Sequence, residues 1–259
     1  MGKYCKRIVL LFLLLFATNS YAVSPAILHG MSGGSGATGE CVTDNVTFWY
    51  RAESEDFSGT NGTLDYSVGD DTAVVASGAT FDTDASYFAS GNGLNLPTPN
   101  DYIYFSPPTA TMDDAGTIGF WLRLTTFTDT RRLVFLTKSP DDNVIISLSG
   151  TEELQFLWKD DENVRSTLTT SGAALSTGTW YFIQVAWETG NPGYREIWVN
   201  NVSVGSSADI IGSLDGAPTL FVFGDGTGTA QAGYMDNIIL TSTSTDDLYP
   251  CRNEEQWPE

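Results

Sequence analysis

Residues 178–188 read GTWYFIQVAWE, with two tryptophans, a tyrosine and a phenylalanine in eleven positions. Alternation along an extended chain puts Tyr181, Ile183, Val185 and Trp187 on one face and Trp180, Phe182, Gln184 and Ala186 on the other. A strand that is apolar on both faces is central to its sheet. One side packs on a second sheet, and the other lies under a loop or in a concave surface. Gln184, the only polar group well inside the stretch, is where that surface would show an exception. The aromatics therefore point to a β-sandwich before they point to a ligand.

Runs of the same kind recur on either side. β-Branched and aromatic segments at 46–52, 101–106, 116–124, 132–138, 143–149, 153–159, 195–200, 219–224 and 233–242 alternate with turn clusters such as SGNG, SPDDN, TGNPG and GDGTG. Helical periodicity is nearly absent. About ten strands with short antiparallel connections can each bury a face only in a two-sheet sandwich or a barrel, so the expected fold is all-β. In 116–124, Ile118, Phe120, Leu122 and Leu124 share one face, and Gly119, Trp121 and Arg123 share the other. Ile197 and Val199 likewise oppose Glu196 and Trp198.

The first 22 residues have the layout of a secretory signal peptide. Lys3, Lys6 and Arg7 precede the apolar run IVLLFLLLFA, and SYA offers small residues for cleavage after Ala22. The run is shorter than the roughly 20 residues of a spanning helix. No Cys follows the cleavage point to carry a lipid. The expected product is secreted, extracellular or periplasmic, with no membrane insertion once the signal is cleaved. Residues 23–40 form a Gly/Ser-rich flexible leader, residues 41–251 a single domain, and residues 252–259 an acidic tail.

Cleavage removes Cys5 and leaves Cys41 and Cys251. In an oxidising compartment, two cysteines bracketing the domain read as one disulfide. Chain entropy gives so long a loop about 5 kcal/mol before native strain is subtracted. Such a bridge implies that the first and last strands lie side by side. Free thiols or metal ligation fit less well, because two lone cysteines lack the companions a zinc site requires. The chain is also acidic, with 12 Lys+Arg against 32 Asp+Glu. Three of the basic residues and none of the acidic ones fall in the first 22, leaving nine against 32, a net −23. That balance argues against nucleic acid and anionic membrane surfaces as partners.

Five segments follow one another in a set order: GTIGFWLRL (116–124), LSTGTWYFIQVAWE (175–188), REIWVNNVSVGSS (195–207), FVFGDG (221–226) and AGYMDNIILTS (232–242). Together they resemble the laminin G-like members of the concanavalin A-like lectin/glucanase superfamily, over about residues 45–243. The resemblance implies a jelly-roll sandwich of two antiparallel sheets. Asn200–Asn201 stand where the family has Asp-Gly, and Asn tolerates the left-handed backbone of a tight hairpin. Residues 53–95 carry little of the family pattern, so no loop-borne site is carried over there. The resemblance also implies calcium as a cofactor, held between the first and last strands. Its ligands would be Asp236 of the closing motif and Glu53 of FWYRAE, with backbone carbonyls completing the shell.

Glucanases of the superfamily resemble one another in a Glu-x-Asp-x-x-Glu strand, which sets two carboxylates about 5 Å apart for retaining hydrolysis. No Glu of this chain begins Glu-x-Asp. The acidic groups KDDEN (159–163) and SPDDN (139–143) fall at turns. The sole His, His29, lies in the leader, so triads and histidine-based metal sites lack their central group. No catalytic residue is expected, and the chain reads as a non-enzyme. For binding, sugar C–H faces stack on aromatic rings while hydroxyls seek polar partners. Trp121, Trp198 and Tyr194 are the candidates for a stacking surface, set against the alternative of outward rings capped by a loop. Three functions stay open: a glycan-binding module, an adhesive or structural domain binding an extracellular protein, and a divergent polysaccharide-active enzyme.

Overall fold

The structure, a computed structural model, describes residues 46–253 except for 51–56, 59–60, 64–65, 68–71, 76–77, 83–85, 89–92, 99, 106–113, 128–130, 139–142, 161–164, 173, 210, 215–219, 225–232 and 245. The expectations for the signal peptide, the leader, Cys41, Glu53 and the 254–259 part of the tail fall outside the described residues. All described residues belong to one unit, Gly34–Glu259.

Two antiparallel sheets account for nearly all regular structure. The first contains β1 (Val46–Tyr50), β4 (Tyr66–Ser67), β6 (Thr80–Asp82), β7 (Gly93–Leu96), β9 (Ala115–Leu124), β14 (Trp180–Glu188), β15 (Tyr194–Val199), β16 (Val202–Ser207) and β18 (Gly233–Thr241). The second contains β2 (Phe57–Ser58), β3 (Asn61–Thr63), β5 (Thr72–Val75), β8 (Tyr102–Phe105), β10 (Arg131–Thr137), β11 (Asn143–Leu148), β12 (Leu154–Lys159), β13 (Arg165–Thr169) and β17 (Leu220–Gly224). The first sheet runs β16-β15-β14-β9-β18-β1-β4, with β7 also on β18 and β6 on β7; the second runs β13-β12-β11-β10-β17-β8-β5-β3-β2. β1 pairs with β18, so the first and last strands are neighbours, as the cysteine spacing implied. No helix long and apolar enough to cross a membrane occurs among the described residues.

The alternation in the sequence explains why these strands stack. Ile118, Phe120, Leu122 and Leu124 of β9 and Ile183, Val185 and Trp187 of β14 face inward. There they meet Val134, Ile146, Phe156 and Trp158 of the second sheet in one buried core. Removing a ring such as Phe120 from that core would cost about 3–5 kcal/mol. The GTW turn that feeds β14 needs its glycine: Gly178 has φ +76° and donates to the Leu124 carbonyl at 2.8 Å. The β15–β16 hairpin turns on Asn200 (φ 49°) and Asn201 (φ 66°), so two asparagines hold the left-handed pair.

The outer face of the first sheet is covered. Val46, Trp49, Trp121, Phe182, Ile239, Leu248 and Cys251 form a second buried cluster there. Residues 246–251 cross it as a strap, and Gln184 holds them. Its Nε2 donates to the Asp246 carbonyl at 3.1 Å, and its Oε1 accepts from the Leu248 N–H at 3.0 Å. Gln184 is thus a side chain doing the work of a neighbouring strand. Leu248 fills the space over Gly119, where a Cβ would stand 2.9 Å from the Phe182 ring. Asn237 donates to the Cys251 carbonyl at 3.1 Å and accepts from the Trp49 indole. Cys251 is fully buried and disulfide-bonded.

Candidate functional site

Beyond the strap the outer face opens into an aromatic patch. Strand register builds it: Trp180 of β14, Arg123 of β9 and Tyr234 of β18 stand directly opposite one another in one row, with Asn95 of β7 next. Directly opposed side chains on one face lie about 5 Å apart at Cβ, close enough to touch. The Arg123 guanidinium sits 5.1 Å from the Trp180 ring centre and 4.4 Å from that of Tyr234. Both rings therefore brace the cation through its flat faces. The two rings themselves are tilted by 44° at 6.5 Å.

The next row holds Phe182, Trp121 and Asp236. Tyr87 reaches over it from the segment before β7 and stacks on Trp121, with centroids 3.5 Å apart and planes 13° from parallel. Its edge meets Trp180 at 6.0 Å. Asp236 fixes this lid: its carboxylate accepts from the Tyr87 N–H at 2.8 Å, the Ser86 hydroxyl at 3.1 Å and the Asn237 N–H at 2.8 Å. Tyr87 is 37 % exposed, and Trp180, Tyr234 and Arg123 are half-buried. A ligand would thus meet Tyr87, with Trp180, Arg123 and Tyr234 beside it.

Several expectations change on this geometry. Trp121 was expected as an outward stacking face, but it is 5 % exposed because Tyr87 lies flat on it. It is the floor of the patch. Trp198 and Tyr194 do share the outer face, but on β15, two strands from β9, and the register sets them two and six residues along from Trp121, so both lie more than about 10 Å from it. They do not join Trp121. Between them Glu196 accepts hydrogen bonds from the Tyr194 and Ser203 hydroxyls, and burial together with Glu196 raises the Tyr194 phenol far above its usual range. The Asp236 carboxylate, expected as a calcium ligand, accepts from three protein donors, and Glu53, its expected partner, lies outside the described residues. No group of three or more His, Cys, Asp or Glu side chains arranged to hold a metal occurs among the described residues. Sequence reasoning missed Tyr87, Tyr234 and the Trp180–Arg123 pair. Register was the missing information for the last three; for Tyr87 the segment 53–95 offered no periodic signal.

A laminin G sequence profile, described as that of the concanavalin A-like lectin/glucanases superfamily, matches residues 97–244, more than half of the chain. The chain belongs to this superfamily. Its laminin G-like jelly roll is also similar to solved structures of much larger binding domains. The receptor-binding domain of botulinum neurotoxin D superposes with a TM-score of 0.59 at 13 % identity, covering 78 % of this chain and 50 % of that one. The serotype D ligand-binding domain in complex with N-acetylneuraminic acid gives 0.61 at 12 %, covering 78 % and 48 %. The binding domain of Paraclostridial Mosquitocidal Protein 1 gives 0.59 at 14 %, covering 78 % and 49 %. The laminin G-like chain thus spans about half the length of these structures, and at such identity they share its fold. No curated protein sequence matches it.

Proposed function

We propose that this laminin G-like domain is a non-catalytic recognition module of an exported protein, and that it binds a glycan on the patch formed by Tyr87, Trp180, Tyr234 and Arg123. One observation carries the reading: a partly exposed tyrosine stacked on a buried tryptophan beside a row in which an arginine is braced by two more rings. Such rings match the C–H face of a sugar, and the edges of a braced guanidinium can donate to its hydroxyls. The serotype D neurotoxin domain, whose structure contains N-acetylneuraminic acid, supports the sugar class by analogy of fold. The absence of a Glu-x-Asp-x-x-Glu strand supports recognition without hydrolysis.

The reading is tested on a glycan array with the secreted, oxidised domain. It predicts saturable binding to at least one sugar, weakened about tenfold by Tyr87→Ala, a loss typical of one stacked ring. A domain silent on every sugar but captured by an extracellular protein would replace this reading with the adhesive one. Release of reducing ends from any bound polysaccharide would overturn the non-catalytic assignment. Export is checked by N-terminal sequencing of secreted material, expected to begin at Val23.

A further inference from the structure

We propose that the interior of the sandwich holds a small monovalent anion of the halide class at Arg195, between the two sheets. Arg195 lies on the inward face of β15 directly opposite Trp187 of β14, and its side chain is 0 % exposed. Its Nη2 is fully used: it donates to Ser166 at 2.8 Å, to Asp209 at 2.7 Å and, more weakly, to Ser207 at 3.4 Å. Among the described residues its Nε and Nη1 have no acceptor, and neither has the indole Nε1 of Trp187. Three orphan donor nitrogens on one cross-strand pair are far from the rule, since nearly all buried donors are satisfied by protein, water or an ion. By contrast Trp158, which tilts against Trp187 at 6.3 Å, has its indole N–H on the Gly212 carbonyl at 2.9 Å.

Charge selects an anion over water. Among the described residues Asp209 is the one carboxylate paired with Arg195, through a single nitrogen, and it is 60 % exposed, so solvent screens its negative end. A guanidinium so buried is left with part of its charge uncompensated, and burial pulls its pKa below the usual arginine range against the opposing pull of Asp209. All three orphans are donors. A halide accepts from several at once and has no hydrogens of its own to place, whereas a water would still need two acceptors. The bound ion would tie β14 and β15 to Ser166 of the second sheet and to the loop carrying Asp209.

The test needs only the whole oxidised domain. Melting is followed in sodium chloride and in sodium gluconate at equal ionic strength. Chloride is expected to raise Tm saturably, by about 3 °C over gluconate for one bound ion on a domain of this size. Trp187→Phe, which removes the indole N–H and keeps an aromatic ring, is expected to shrink that difference. Crystals of the unaltered protein soaked in bromide should show an anomalous peak at the Arg195 guanidinium, a readout independent of any variant's folding. Identical melting in the two salts, or ordered density at Arg195 with no anomalous signal, would overturn the proposal in favour of water.

Discussion

Replacing Gln184 by Leu tests how the outer face is closed. The side chain makes two hydrogen bonds to the strap, both buried, and leucine keeps the volume while deleting both partners. What remains is a Leu248 N–H without this acceptor and an Asp246 carbonyl without this donor, each loss worth about 1–3 kcal/mol when the group stays buried. Partial relaxation of a disulfide-tethered strap lowers the sum, so the expected loss is about 3 kcal/mol. For a domain of this size that is a fall in Tm of about 9 °C by calorimetry under oxidising conditions. Amide exchange gives the local readout: the Leu248 N–H, protected in the parent, should exchange at least tenfold faster in the variant. A Tm within about 1 °C of the parent, or equal exchange at Leu248 in both proteins, would refute the clamp.

Other outcomes follow from single features. Asp236→Ala removes the acceptor of three donors and should cost about 3 kcal/mol while freeing Tyr87, seen as a lower Tm and a red shift of tryptophan emission as Trp121 becomes solvated. Chelation by EDTA should leave Tm unchanged if those donors occupy the carboxylate, whereas a fall of several degrees would place calcium at Asp236. Gly119→Ala pushes a methyl to 2.9 Å from Phe182 and 3.1 Å from Leu248, and should destabilise by about 1–3 kcal/mol in a denaturant titration. Asn201→Gly relieves a left-handed non-glycine at φ 66° and should raise stability by about 0.5 kcal/mol in the same assay.

The strands most legible in the sequence were those whose faces differ in polarity or are both apolar. β9 and β14 fall within two residues of their expected limits, and their inward and outward sets are as alternation placed them. β13, with the sequence RSTLT, was missed because it is a polar edge strand exposed on alternate residues, with too little apolar signal to stand out. The strap was invisible for a different reason. Nothing local marks residues 246–251 as a cover, and only the isolated Gln184 hinted that a polar partner would arrive on that face. Arg195 shows the limit of pattern reading: a charged residue on an inward-facing register position contradicts alternation, and its Ser166 partner comes from the other sheet. The same holds for the site. Trp121 was legible as an outer-face residue, but the ring that covers it lies thirty-four positions earlier in a segment without period.

The central claim is that the ligand surface is the Tyr87–Trp180–Tyr234–Arg123 patch and not the tryptophan of β15. Calorimetric titration with the strongest sugar from the array tests it most directly, comparing Tyr87→Ala with Trp198→Ala after melting has shown both variants folded. The account predicts about tenfold weaker binding for Tyr87→Ala and parent affinity for Trp198→Ala. Unchanged affinity in Tyr87→Ala, or loss of binding in Trp198→Ala, would contradict it.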